Sequence, residues 1–304
     1  MCLKKEVKKI LNKLPYIKTL KQEIDLYKTI IPPGHFYSPL VSKEDILSKQ
    51  TDIFNRNLTK LSAISLNEEV QCQYLKQIST YYSDLPFSEK KKVGLRYYYE
   101  NGAYSYSDAI FLYGLIRTPN PQKIIEVGSG HSSSLMLDVN DLYFNGLIKL
   151  VFIDPYPDIL ENLFKNEDSN KCQLIKEKVQ DVELKELESL KENDILFIDS
   201  SHVAKCGSDV NHLFFNVCPN LKKGVYIHFH DIFYPFEYPK EWILEHERSW
   251  NESYLLRAFL SYNDTFEIVL FSTYLEQFYK EWFLENMPLY LKNPGGSIWL
   301  KKIK

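Results

Sequence analysis
At 304 residues the chain can form one large domain, or a catalytic domain with an extension, at roughly 100–200 residues per domain. Hydrophobic residues at 44% and charged residues at 25% lie near the globular average and exclude wholesale disorder. A net charge of −3 without a dense basic tract argues against nucleic acid as a partner, and no apolar run approaches the ~18–20 residues of a membrane span. The opening MCLKKEVKKILNKL is basic but lacks a continuous apolar stretch. It reads as a short amphipathic helix rather than a secretion signal, so a cytoplasmic protein is expected. Cysteines at 2, 72, 172, 206 and 218 are odd in number and form no CxxC, which fits free thiols better than a disulfide framework or a zinc site.

The first part of the chain is mostly helical in pattern, and residues 1–95 are expected to form a helical extension that acts as a lid or builds a homodimer. Pro32, Pro33, Gly34 and Pro39 forbid a regular helix over IIPPGHFYSPLVS (30–42). Its His35 and Tyr37 make that loop a candidate cover for a substrate. NGAYSYSD (101–108) reads as a loop ending in a helix cap at Ser107 or Asp108. From about residue 120, short apolar runs alternate with helical stretches. The strands are expected at 123–128, 149–154, 172–176, 194–200, 224–231, 266–272 and 296–302. Helices are expected at 132–142, 158–165, 206–220, 239–260 and 274–286. This alternation over residues 96–304 predicts an α/β domain: a doubly wound, Rossmann-like, seven-stranded, mostly parallel sheet with helices on both faces.

Ligands of such sheets sit at the carboxyl ends of the strands. Glu126-Val-Gly128-Ser129-Gly130 closes the first strand, where glycines let backbone approach a ligand. A pyrophosphate loop would carry a third glycine at 133, where this chain has Ser133. Asp154 ends the second strand, placed to accept hydrogen bonds from both hydroxyls of a ribose. Together these point to an adenosine-containing cofactor without a strong phosphate requirement.

EVGSGHSS, the FIDP strand, and FIDSSH leading to HFHD resemble the class I S-adenosylmethionine-dependent methyltransferases across roughly residues 95–304. The resemblance implies that Gly128–Gly130 carries the methionine part of S-adenosylmethionine, that Asp154 holds the ribose, and that Gln180 and Asp181 flank the adenine. Asp181 also suits a helix cap. Glu126, Asp199 and Tyr104 join the expected cofactor contacts, Tyr104 with the acceptor as an alternative.

Asp199 ends the fourth strand with His202 three residues on, and His230-Asp231 ends the fifth. This layout is similar to the metal-dependent O-methyltransferases, such as catechol O-methyltransferase and the sugar methyltransferases of macrolide biosynthesis. The similarity implies Asp199 and Asp231 as metal ligands and His202 as general base. His230 stands where an acid is usual. Imidazole suits Mn²⁺, Fe²⁺ or Zn²⁺ better than Mg²⁺, so two readings stay open. Either a divalent metal (Mg, Mn or Fe) is held by Asp199, His230 and Asp231, or no metal binds and His202 or His230 is the base. His228, inside the strand, reads as a satisfied core histidine.

On the acceptor side, DIFYPFEYP (231–239) contributes Tyr234. Trp250, Tyr254 and Arg257 would share a helix face fit for a sugar ring or an anion. The expected activity is O-methylation of a sugar or other polyhydroxylated small molecule. Two alternatives remain: an NAD-dependent oxidoreductase, which Ser133 disfavours, and a non-catalytic cofactor-binding protein.

Overall fold
The computed structural model describes residues 14–26 and 30–304, so the amphipathic reading of the first residues lies outside the described part. The chain divides into two compact units, 1–53 and 54–304. In the first, α1 (Pro15–Leu26) precedes α2 (Lys43–Ser48) and α3 (Gln50–Ile53). Ser42 caps α2 by accepting the Asp45 N–H at 3.2 Å. Residues 30–42 are non-helical, as their prolines dictate, and are held by turns such as Ser38 N–H to His35 O at 2.7 Å.

The second unit contains α4 (Glu68–Ser79), α5 (Tyr106–Arg117) and the sheet. The division at 53/54, rather than the expected 95/96, has a packing cause. Gln71 Oε1 accepts the Phe271 N–H at 2.9 Å, and the Tyr74 and Tyr226 hydroxyls meet at 2.7 Å, so α4 is stitched to the strands. Ile78 lies so close to Gly114 of α5 that a Cβ there would meet its Cγ2 at 2.5 Å. Residues 54–95 are therefore part of the sheet-bearing unit. α5 is buried from Tyr106 to Ile116, the pattern of a helix hydrophobic on nearly every face.

Seven strands follow: β1 (Lys123–Val127), β2 (Lys149–Ile153), β3 (Cys172–Ile175), β4 (Ile195–Ile198), β5 (Tyr226–His230), β6 (Phe266–Phe271) and β7 (Ser297–Lys302). Their order is β3-β2-β1-β4-β5-β7-β6. β1 to β5 pair in parallel, while β7 runs antiparallel between β5 and β6. β1 and β4 are buried throughout, as expected for central strands covered on both faces. The helices between the strands are α6 (His131–Tyr143), α7 (Asp158–Leu163), α8 (Leu184–Glu188), α9 (Asp209–His212), α10 (Lys240–Leu244), α11 (Glu252–Leu260), α12 (Ser272–Phe278) and α13 (Lys280–Asn286). α9 continues through irregular turns to Asn220.

One helix differs from expectation. The continuous helix expected over 239–260 is broken between α10 and α11, where residues 245–251 are irregular. Trp250 thus precedes α11 and shares no helix face with Tyr254 and Arg257. Arg96 is a second feature the pattern did not disclose. Fully buried, it donates to Asp138 at 2.7 Å and Asp168 at 2.6 Å and also reaches Asp141, tying α6 to the segment before β3.

Candidate active site
A cavity of about 540 Å³ opens at the carboxyl ends of β1, β2 and β4. Gly128, first residue after β1, has φ +88°, and a Cβ there would lie 1.7 Å from the Asp199 carbonyl oxygen. Only glycine lets this loop touch the end of β4. Ser129 then donates its N–H (2.9 Å) and hydroxyl (2.7 Å) to Asp154 Oδ2, while Tyr156 N–H reaches Oδ1 at 2.8 Å. Gly128, Ser129, Asp154, Gln180 and Asp199 all line the cavity.

Other expected cofactor residues act from behind it. Glu126 is fully buried and accepts the Ser132 and Ser133 hydroxyls. Burial pushes its carboxyl up to about 8, against the lowering effect of those two serines. Ser133 also accepts the Gly130 N–H at 3.0 Å, so the residue in place of a third glycine locks the start of α6. Glu126 and Gly130 are outside the cavity lining and shape the loop. Of the Gln180-Asp181 pair, Gln180 faces the cavity and Asp181 is exposed away from its lining. Gln180 donates to Gly207 O at 3.1 Å, while its Oε1 is buried without a protein partner. An unspent polar atom at this wall fits a bound polar ligand. Tyr104 is buried under the next cluster, its ring 5.3 Å from His230 and its hydroxyl given to Asp108 O.

That cluster gathers Asp199, His202, His230 and Asp231, with Glu252. His202 and Asp231 both have left-handed backbone, φ +59° and +55°, which turns their side chains together past the strand ends. Glu252 Oε2 lies 2.9 Å from His202 Nδ1, and His202 Nε2 faces Asp199 Oδ1 at 3.4 Å and Asp231 Oδ2 at 3.7 Å. An ionised carboxylate only accepts, so a ring facing carboxylates through both nitrogens carries a proton on each. Burial opposes that charge, but the bonds to Asp199 and Glu252 prevail and raise His202 to about 10. Burial would raise Asp199, yet the charge of His230 and the bond from His202 hold it below the usual range. Burial raises Asp231, opposed by His230, His202 and Arg248. His230 lies 3.7 Å from Asp231 Oδ1 and leaves Nδ1 unpartnered.

His228 corrects one expectation. Its ring is stacked 3.9 Å from Phe197 and packed 4.6 Å from Trp299, with neither nitrogen hydrogen-bonded. It is a neutral core residue, pushed well down by burial, but not a satisfied one.

Among the described residues, no three or more His, Cys, Asp or Glu side chains are arranged to hold a metal ion. The His202 N–H stands between the two carboxylates that would be the ligands. As placed, Asp199, His230 and Asp231 do not make a ligand set.

On the acceptor side, the Trp250 ring lies 4.4 Å from His202. Tyr234 is buried against Phe271, Tyr274 and Phe278, with its hydroxyl given to Leu58 O, and borders a second cavity of about 280 Å³. Arg257 is exposed on α11. His35 and Tyr37 belong to the first unit, where both are exposed and their rings lie 5.7 Å apart.

A protein of Archaeoglobus fulgidus, described only as uncharacterized, is 35% identical over 173 residues, covering 55% of this chain and 76% of its own. Residues 125–232, spanning β1 to the residue after Asp231, match the family described as a methyltransferase domain. That match makes residues 125–232 a methyltransferase domain. Among solved structures, the O-methyltransferase TomG of Streptomyces achromogenes in complex with SAM is 13% identical, covers 86% of this chain and 96% of its own, and has a TM-score of 0.44. The SAH-bound methyltransferase PaMTH1 of Podospora anserina is 14% identical, covers 91% and 100%, and scores 0.41. Likenesses at these scores add nothing to what the strand order shows.

Sequence reasoning missed three residues of this site. Glu252 fixes His202, Asp209 lines the cavity and accepts the Ser201 N–H at 2.8 Å, and Arg248 stands beside Trp250. Glu252 and Arg248 flank Trp250 in ERSWNE, a run of charged and aromatic residues whose signal was absorbed into an expected helix.

Proposed function
We propose that this methyltransferase acts on a hydroxyl oxygen of a small, polyhydroxylated acceptor bound beside Trp250 and Asp231. One observation carries the reading: Asp199 lines the cofactor cavity and also faces His202, so the cavity and the charged cluster share a wall. Bound in that cavity, S-adenosylmethionine supplies a sulfonium-activated methyl group. Asp154 would hold the ribose, the free Gln180 Oε1 the adenine amino group, and the Gly128–Ser129 backbone the methionine part.

The acceptor hydroxyl is a poor nucleophile until its proton has a destination. Asp231 is assigned that role, since burial makes its carboxylate a better base than an exposed aspartate. His202, charged and fixed by Glu252, places a positive charge beside the oxygen as negative charge develops there. This replaces the neutral histidine base expected from sequence, because a ring engaged by carboxylates at both nitrogens has no lone pair to offer. The aromatic face of Trp250 suits a sugar ring.

Calorimetric titration of S-adenosylhomocysteine tests the reading, first in EDTA and then with Mg²⁺ or Mn²⁺. Micromolar binding in EDTA, followed by methyl transfer to hydroxylated acceptors that the metals leave unchanged, is expected. No binding would overturn the reading, and strong stimulation by a metal would overturn the role given to His202.

A further inference from the structure
Arg248 sits in the irregular segment before α11. Its guanidinium carbon lies 3.8 Å from the centre of the Trp242 ring and 4.5 Å from that of Trp250. The two indoles meet edge to face at 5.5 Å and 86°, so the guanidinium occupies the corner between them. The Arg248 N–H to Trp242 O bond, 2.9 Å, fixes the backbone at the same point. Trp250 in turn packs on His202, and the charge of Arg248 is felt at the Asp231 carboxyl. The group therefore belongs to the acceptor side of the cluster.

The contacts of Arg248 are apolar faces, which orient a planar cation but satisfy none of its N–H donors. Among the described residues, no carboxylate forms an ion pair with it. A half-buried guanidinium held rigid with its donors unspent suits two-point recognition of a carboxylate or phosphate. Arg257, the arginine that the sequence suggested for an anion, is instead exposed on α11.

We propose that Arg248, held in the corner of Trp242 and Trp250, is the anion-recognition residue of the acceptor site, so that the acceptor is a hydroxyl compound carrying an oxyanion group. This rests on the methyltransferase reading and adds the substrate class to it.

The chain has four tryptophans, two of which touch Arg248, so indole fluorescence reports on the corner directly. Benzoate, inorganic phosphate and uncharged benzamide are titrated into the S-adenosylhomocysteine complex of the full chain, as wild type, Arg248→Gln and Arg248→Lys. A saturable response to at least one anion is expected in the wild type, weakened ten-fold or more by Arg248→Gln and less by Arg248→Lys. The tighter anion identifies the group as carboxylate or phosphate. No saturable response to either anion, an equal response in Arg248→Gln, or equal binding of benzamide would overturn the proposal. S-adenosylhomocysteine is titrated into the same samples. Its failure to bind the wild type would bring down the methyltransferase reading and this proposal with it. Normal binding alongside an Arg248-independent anion response would bring down this proposal alone, and normal binding by Arg248→Gln shows that the variant is folded.

Discussion

Glu252 reaches His202 from fifty residues further along the chain, Oε2 to Nδ1 at 2.9 Å, and is itself fully buried. The pair is locked from the backbone as well, since the N–H groups of Asn251 and Glu252 both donate to His202 O. The start of α11 thus sets which way the imidazole points. Replacing Glu252 by Gln keeps the shape but removes the charge that holds the imidazolium. Turnover is expected to fall about 100-fold, the scale on which losing one group that stabilises developing charge slows an enzyme. S-adenosylhomocysteine affinity, read by calorimetry, should stay within about two-fold. A parallel loss of affinity would mean that Glu252 supports the cavity instead.

Asp154 already accepts three hydrogen bonds, from Ser129 N–H, Ser129 hydroxyl and Tyr156 N–H. They aim the carboxylate and leave lone-pair capacity for a ribose. Asp154→Ala is expected to weaken S-adenosylhomocysteine by about 30–100-fold, the worth of charge-assisted bonds at about 2–3 kcal/mol. Calorimetry of that variant beside Asp154→Asn separates charge from shape.

Gly128→Ala is the sharpest steric test. The added carbon would fall 1.7 Å from the Asp199 carbonyl, on a backbone at φ +88°. The loop must move off β4, so cofactor binding should disappear and the melting temperature should drop by several degrees. Unchanged binding would show that the loop and β4 do not need this contact.

Acid should find the molecule's weak point at Arg96. Burial raises the Asp168 carboxyl, but its bonds from Arg96 outweigh that and leave it below the usual range. A carboxyl depressed in the folded state contributes stability that is complete above its unfolded pKa of about 3.9 and is lost as pH falls through the folded value. Thermal stability should therefore fall on acidification below about pH 4. Asp168→Asn should flatten that part of the slope and cost about 3–5 kcal/mol at pH 7, because the buried guanidinium loses a partner. Melting curves between pH 3 and 7 check both.

The sheet could be read because each of its strands is a short apolar run closed by a turn residue, as KIIEVG and DILFIDS illustrate. The ends of those strands announced Gly128, Asp154, Asp199 and Asp231 for the same reason. Side-chain direction could not be read. Glu126 and Gln180 were both expected at the cofactor, yet Glu126 turns inward to two serines and Gln180 faces the cavity. Glu252 and Arg248 were hidden because helical periodicity ran through 239–260, while the break at 245–251 is fixed by tertiary contacts such as Asn251 Oδ1 with the Ala204 N–H at 2.6 Å. Long-range pairs of this kind carry no local signal.

β7 follows β6 in the chain yet lies between β5 and β6 in the sheet. During synthesis β6 emerges with no neighbour to pair with, and β5 has an open edge until residues 297–302 arrive. The Ser297 hydroxyl, bonded to Asp108 at 2.9 Å, also reaches the helix behind Tyr104 and His230. A nascent chain can therefore assemble β1 to β5 early, but the floor beneath its charged cluster closes only when the final strand slides in. Ribosome-bound chains stalled short of that strand should expose two sticky edges and depend on chaperones.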